Sequence, residues 1–148
     1  MTLNKTGKLR KLSGFLLLLS LLLLAGCEGG RPHHEVQGTV KFNQDDSVAR
    51  FGMIEFRSES EPIVTARSTI AKDGSFSLKT GDRQGAVAGW HTVVIMQTVR
   101  VYDDVKHDHG LVAAKKYLDH RTTDLRFEVK ENSDEEEGLV LKIDSLVK

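Results

Sequence analysis

The densest group of side chains able to bind a metal lies in one short polar segment. The chain reads Asp103-Asp104-Val105-Lys106-His107-Asp108-His109-Gly110 there, and carboxylate and imidazole groups are ligands that first-row transition metals accept. In an extended segment, His107 and His109 would point to the same side. Lys106 in the middle argues against a cation site. We interpret the segment as an exposed loop; the alternative is a metal site formed by Asp104, His107, Asp108 and His109.

Nucleophilic catalysis has no recognisable motif in this chain. Such catalysis needs a Ser or Cys activated by a His and oriented by an acid. No Gly-x-Ser-x-Gly sequence occurs. Gly81, Gly85 and Gly89 are spaced four apart but lack the Lys-Ser/Thr pair of a phosphate-binding loop. We therefore expect no enzymatic activity and no cofactor.

Other positions could carry chemistry, but each has a simpler structural interpretation. His33 and His34 are adjacent, so in a strand their side chains point to opposite sides, and we expect both at the surface. His91 lies in a long apolar run, where we expect it to be partly buried and bound to a neighbouring polar group. Trp90 could be a stacking platform for a sugar. Because it is a lone Trp beside the start of a strand, we interpret it instead as a residue that lies in the core or caps it.

Charge and cysteine content exclude several classes of protein. The 148 residues include 21 basic and 21 acidic residues. Residues 1–26 contain four of the basic residues and no acid, so 17 basic and 21 acidic residues follow. That acidic balance argues against a nucleic-acid-binding protein. A single Cys excludes an intramolecular disulfide and a multi-cysteine zinc site. The four basic residues of the N-terminus are Lys5, Lys8, Arg10 and Lys11.

An export signal is predicted at the N-terminus. The basic residues precede an apolar run over residues 15–24 that only Ser20 interrupts, which is the order of a signal peptide. The run is too short for a permanent transmembrane helix, which takes about 20 apolar residues. It ends in Leu24-Ala25-Gly26-Cys27, where small residues immediately precede the only Cys of the chain.

This ending resembles the lipobox of bacterial lipoproteins. The resemblance implies that residues 1–26 are a signal peptide cut before Cys27, and that Cys27 receives a diacylglyceryl group and an acylated N-terminus. Two or three acyl chains, at about 0.8 kcal/mol per buried methylene, hold a protein on a membrane without spanning it. The alternative is an ordinary signal peptide followed by a buried or incidental Cys.

A short flexible tether is expected after the lipidated residue. Residues 27–33 include two Gly and one Pro, which resist regular structure. The tether is too short to cross a thick cell wall, so we expect the domain that follows, residues 34–148, to stay close to the membrane. It would face the periplasm or the cell exterior.

The remainder of the chain has the two-residue apolar period of β-strands. Both faces of residues 90–99 are largely apolar, which predicts a central strand, and Lys72-Asp73-Gly74 predicts a tight turn. Only residues 111–118 favour a helical turn, and the acidic residues 131–138 are expected to form a solvated hairpin loop. Such short strands argue for a single antiparallel sandwich or barrel. About seven strands are predicted, over residues 36–42, 53–57, 63–70, 75–79, 90–99, 125–130 and 139–144.

These segments, in this order, resemble small bacterial lipoproteins with a carboxypeptidase regulatory-like (transthyretin-like) domain. The likeness covers most of residues 34–148 and departs from the family pattern at Ala88, at His91 and at Val112-Ala113. Its motifs are Val36-Gln37-Gly38-Thr39-Val40, Lys72-Asp73-Gly74-Ser75-Phe76-Ser77-Leu78, the Gly-rich approach from Gly85 to the run Trp90-His91-Thr92-Val93-Val94-Ile95, Lys116-Tyr117, and Thr122-Thr123-Asp124-Leu125.

The resemblance implies an all-β fold, a seven-stranded antiparallel Greek-key β-sandwich of the transthyretin-like type. It also implies an accessory or binding module without catalytic activity. We therefore expect a lipoprotein anchored at the cell envelope that binds a protein or glycan partner through its loops or a sheet edge. The alternative function is a metal-binding envelope lipoprotein that uses the segment from Asp103 to His109.

Metal titration of residues 33–148 separates these two functions. If the polar segment is an exposed loop, we expect no binding of Zn²⁺, Cu²⁺ or Ni²⁺ at micromolar metal, because scattered ligands do not converge on one ion. Isothermal titration calorimetry measures this directly. A one-to-one isotherm in the micromolar range would support the metal-binding alternative instead.

Overall fold

The two-residue period of the sequence corresponds to β-strands in a computed structural model that describes residues 30–97, 110–131 and 138–146. In this described part of the chain the one helical element is a short 3₁₀ helix, Lys115–Leu118, within the stretch expected to form a helical turn. Among the described residues the strands are β1 (His33–His34), β2 (Gln37–Phe42), β3 (Gly52–Ser58), β4 (Thr65–Ile70), β5 (Ser75–Ser77), β6 (Lys79–Thr80), β7 (Arg83–Gln84), β8 (Ala86–Val87), β9 (Gly89–Met96), β10 (Arg126–Val129) and β11 (Leu139–Ile143).

Each of the predicted strand regions overlaps one of these strands. The overlaps are with β2, β3, β4, β5, β9, β10 and β11. The two-residue segments β1, β7 and β8 were not predicted, and β6 starts at the last residue of a predicted strand. The protein is therefore mostly β, as the sequence predicts, with all the strands inside the unit Pro32–Lys148.

The strands form two main sheets and one short ladder. The larger sheet has the order β10-β9-β3-β4-β6-β7, the smaller has the order β11-β2-β5, and β1 pairs with β8. Every pair of named strands is antiparallel except β11 with β2, where Leu139 lies opposite Gly38 in a parallel register. The prediction that the sandwich is antiparallel was therefore wrong for the pair of β11 and β2.

The chain passes from the larger sheet to the smaller one between β10 and β11. β10 lies at the edge of the larger sheet and β11 in the smaller sheet. A hairpin would require the two strands to pair with each other, and they do not. The prediction of a hairpin loop over residues 131–138 was therefore wrong. Residues 132–137 of that loop lie outside the described residues.

The two main sheets share one apolar core centred on β3. Phe56 is fully buried. Its ring centroid lies 6.2 Å from that of Phe76 on β5 and 5.8 Å from that of Phe127 on β10. The first of these contacts joins the larger sheet to the smaller one. Burying a side chain of this size is worth roughly 1.5–3 kcal/mol relative to leaving it exposed, so the arrangement is consistent with an all-β sandwich.

The predicted central position of the long strand is confirmed. β9 pairs with β3 on one side and with β10 on the other. Val93 and Ile95 are fully buried, and Val94 on the opposite face is only 2% exposed. A strand covered on both faces needs apolar residues in both registers, which is why its sequence does not alternate.

The predicted turn between β4 and β5 also forms. Gly74 has a φ of +80°, a conformation that residues with a Cβ rarely adopt, and its N–H donates to the Ala71 carbonyl at 3.0 Å. The Asp73 carboxylate accepts hydrogen bonds from the backbone N–H and the hydroxyl of Ser75. The turn is therefore fixed by its own residues, as its sequence indicates.

A second glycine determines how the N-terminal strand packs. Gly85 has a φ of +88°, and a Cβ built on it would lie 2.0 Å from the His34 carbonyl oxygen. Only a residue without a side chain lets β1 lie this close to the segment that leads into β8. Gly81 also has a positive φ, +58°, but a Cβ there would meet nothing within 4 Å.

Comparison of Gly85→Ala with Gly81→Ala isolates this contact. Both substitutions place a Cβ on a left-handed backbone, which costs about 1–2 kcal/mol. Only Gly85→Ala also displaces the backbone of β1, so we expect its loss of unfolding free energy to be at least about twice that of Gly81→Ala. Urea denaturation followed by circular dichroism measures both. Equal losses of unfolding free energy in the two variants would show that the close approach of Gly85 to His34 does not contribute to stability.

Candidate functional site

The residues with the strongest predicted roles lie outside the described part of the chain. Among the described residues, no three His, Cys, Asp or Glu side chains group to hold a metal ion. No helix in those residues has the length and apolar character that crossing a membrane requires. The predictions outside the described residues concern lipidation at Cys27 and metal binding by Asp104, His107, Asp108 and His109.

Three histidines predicted from the sequence are described. His33 and His34 are half-buried rather than at the surface, because they pair with Val87 and Ala86 in the β1–β8 ladder. His91 is 1% exposed and its Nδ1 lies 2.9 Å from the Gly89 carbonyl oxygen. The interpretation of His91 as a buried residue bound to a neighbour is therefore confirmed.

Trp90 does not belong to the core, contrary to the interpretation made from the sequence. Its side chain is 48% exposed, because alternation along β9 places it on the face opposite His91. The Arg126 guanidinium carbon lies 5.1 Å from the centroid of the Trp90 ring, a distance at which a cation and an aromatic ring attract each other. The indole therefore presents apolar surface on the outer face of the larger sheet.

The Arg126 cation is held in place by a carboxylate. Its Nε donates to Glu59 Oε1 at 2.8 Å, and its Nη2 donates to Glu59 Oε2. The Thr92 hydroxyl donates to Glu59 Oε1 at 3.1 Å. The hydrogen bonds from Arg126 are the main reason that the Glu59 pKa lies below its ordinary value, so this pair is ionised at neutral pH.

A histidine–carboxylate pair lies further along β3. Glu55 Oε1 is 2.8 Å from His120 Nε2, and Glu55 Oε2 accepts from Arg67 Nε at 2.6 Å. Burial raises the pKa of Glu55, but the hydrogen bonds from His120 and Arg67 outweigh it and place the pKa below its ordinary value. His120 Nδ1 is buried and has no hydrogen-bond partner among the residues that the structure describes. The pair joins the turn after the 3₁₀ helix to the larger sheet.

The third polar cluster joins the 3₁₀ helix to the end of β11. The Tyr117 hydroxyl accepts from the Asp144 N–H at 3.0 Å and donates to Asp144 Oδ2 at 3.2 Å. Lys116 Nζ donates to Asp144 Oδ2 at 2.9 Å and to Asp124 Oδ2 at 2.7 Å. Asn43 Nδ2 donates to Asp144 Oδ1 at 2.8 Å. Asp144 therefore connects three parts of the chain.

The charges in this cluster are fixed at neutral pH. Hydrogen bonds from Asn43, Lys116 and Tyr117 lower the pKa of Asp144 to about 2. Hydrogen bonds to Asp124 and Asp144 raise the pKa of Lys116, and burial raises that of Tyr117. A group that stays in one protonation state over the physiological range does not exchange protons with a substrate. We therefore assign this cluster a structural role, in which it stabilises the fold.

Sequence reasoning missed most of these groupings. Glu55 and His120 are 65 positions apart, and Asn43 and Asp144 are 101 apart. No local motif links such residues. The pair Lys116-Tyr117 was noted only for a family resemblance, and it is the one part of the clusters that the sequence signalled.

Comparisons with protein-family models, with curated proteins and with solved structures find no match. Function is therefore inferred from the residues of this chain.

The Asp144 cluster predicts a pH-dependent stability difference. Because the folded-state pKa of Asp144 is about 2 and its ordinary value is 3.8, its contribution is present above about pH 4 and is lost as the pH falls toward 2. We expect Asp144→Asn to lower the urea midpoint at pH 7 and to have little effect at pH 2.

The exposed residue Asp82 provides the matched control. We expect Asp82→Asn to leave the midpoint unchanged at both pH values. A midpoint difference for Asp144→Asn that stays constant from pH 7 to pH 2 would contradict the assignment of Asp144 as an ionised residue that stabilises the fold.

Proposed function

We propose that this chain is a lipoprotein of the bacterial cell envelope, anchored by acyl chains on Cys27. The observation that carries the proposal is the position of the only Cys. It directly follows Leu24-Ala25-Gly26 at the end of a short apolar run, and only five residues separate it from the first strand at His33. A free structural Cys would instead be expected within the folded domain, where Cys is among the most buried residue types.

We further propose that the domain is a seven-stranded Greek-key sandwich of the carboxypeptidase regulatory-like type. The sheet orders support this, since β11-β2-β5 and β10-β9-β3-β4 place consecutive strands β2 and β3 in different sheets. The same holds for β4 and β5 and for β10 and β11. The two-residue segments β6, β7 and β8 then belong to the connection from β5 to β9.

The domain would serve as a binding module without catalytic activity. Two features of the described residues support this role. Their polar clusters hold ionised pairs that stabilise the fold, and β10 pairs with β9 alone although it ends the larger sheet. A strand with an unpaired edge can accept an extended segment of another protein, and the loops can bind an envelope protein or a glycan.

Labelling with an alkyne-tagged palmitate in a bacterial host tests the anchor. We expect the natural chain to incorporate the label and Cys27→Ser to lose it, because the Cys thiol is the site at which the diacylglyceryl group attaches. In-gel fluorescence after coupling to an azide dye gives the readout.

Ser20 offers a matched control for the position of the thiol. We expect Ser20→Cys combined with Cys27→Ser to remain unlabelled, because Leu18 and Leu19, and no small residues, directly precede position 20. A natural chain without label, or a label that persists in Cys27→Ser, would show that the anchor is wrongly assigned.

A further inference from the structure

Two exposed apolar side chains lie at the same end of the larger sheet. Trp90 is 48% exposed, and Ile63 in the connection between β3 and β4 is 40% exposed. The Glu59 N–H donates to the Trp90 carbonyl at 2.9 Å, and the Ser58 N–H donates to the Val64 carbonyl at 2.8 Å. Trp90 and Ile63 therefore flank the end of β3 on opposite sides, about two strand spacings or 10 Å apart.

The polar groups beside Trp90 comprise one neutralised ion pair and one further acid, Glu128, which lies opposite Trp90 in the β10–β9 register. Arg126, which stacks on the ring, forms a two-fold ion pair with Glu59. An aromatic ring beside a neutralised ion pair combines apolar and polar surface. Trp residues with this combination favour the headgroup region of a bilayer, where one part of the indole is in contact with lipid and the other with water.

The length of chain between Cys27 and the first strand sets an upper limit on the distance from the proposed lipid to this end of the domain. Six peptide units join Cys27 to His33, which is at most about 20 Å of extended chain. His33 pairs with Val87, and Trp90 follows Val87 by three residues, or at most about 10 Å. The exposed Met53, by contrast, pairs with Met96, which is six residues or about 20 Å along β9 from Trp90.

We propose that Trp90 and Ile63 form a contact with the phospholipid headgroup layer of the membrane that holds Cys27. This inference rests on the proposed lipid anchor. The short tether would keep the two side chains at the bilayer surface, and their contact would fix the orientation of the domain. The opposite end of the larger sheet, with Met53, would then face away from the membrane and stay available to a partner.

Intrinsic fluorescence tests the contact, because Trp90 is the only Trp of the chain. The acylated protein, which begins at Cys27 after cleavage of the signal peptide, is reconstituted into phosphatidylcholine vesicles with either ordinary or brominated acyl chains. We expect the Trp90 emission of the acylated protein in ordinary vesicles to lie at a shorter wavelength than that of the Cys27→Ser variant in buffer without detergent. We also expect brominated lipid to reduce the emission at least about twofold, since interfacial side chains reach the acyl boundary.

A relocated reporter provides the matched control. Trp90→Phe combined with Met53→Trp keeps an aromatic ring at position 90 and moves the only indole to the distal end of the same sheet. We expect its emission to be the same in ordinary and brominated vesicles. Equal quenching of both reporters would overturn the inference, because it would show no fixed orientation.

The outcomes for the anchor and for the contact are distinguishable. If the chain does not float with the vesicles and carries no acyl mass, the lipid anchor is wrong. If the chain floats with the vesicles but Trp90 is not quenched, the anchor stands and the membrane contact is overturned. A blue shift of the Trp90 emission on addition of soluble peptidoglycan fragments, without an effect of brominated lipid, would identify a glycan as the occupant and would also overturn the membrane contact.

Discussion

Burial of one apolar face on each main sheet is the constraint on which the rest of the structure depends. Phe56 lies at the centre of this core and contacts aromatic rings from both sheets. Neither sheet could exist alone in water, because each would expose a continuous apolar surface. The requirement that the two faces meet explains why the chain changes sheets between β2 and β3, between β4 and β5, and between β10 and β11. After the last of these changes β11 pairs with β2 in a parallel register.

Hydrogen bonds and ion pairs attach the 3₁₀ helix and the turn after it to the two sheets. The 3₁₀ helix places the Tyr117 ring in the core, and hydrogen bonds hold its polar groups and the neighbouring strand ends. Tyr117 and Lys116 attach the helix to Asp144 at the end of β11, and His120 attaches the following turn to Glu55. Each of these contacts joins residues far apart in the chain, so each forms only when the core has brought the strands together. Their carboxylates are ionised at neutral pH, which suits a structural role and not one in proton transfer.

The outward features of the domain fit a protein held at a surface. The proposed anchor at Cys27 and the short tether restrict where the domain can lie, and the exposed indole of Trp90 lies near the point where the tether enters the fold. Under this proposal, the distal end of the larger sheet and the edge of β10 that pairs with no other described strand would be left for a partner. Lipid would then orient one end of the domain, and the other end would present protein surface to the envelope.

The sequence by itself determined where the seven longer strands form and, in the alternating ones, which face is apolar. Alternation in β2, β3 and β11 reports a local property, namely which face of a strand is apolar, and the Asp73-Gly74 turn is encoded by its own residues. Only the tertiary structure decided the parallel register of β11 with β2, the Glu55–His120 pair and the exposure of Trp90. The physical reason is that periodicity contains no information about partners. Because β9 is apolar on both faces, its pattern could not indicate which face carries Trp90 to the outside; the pairing of β9 between β3 and β10 settled that.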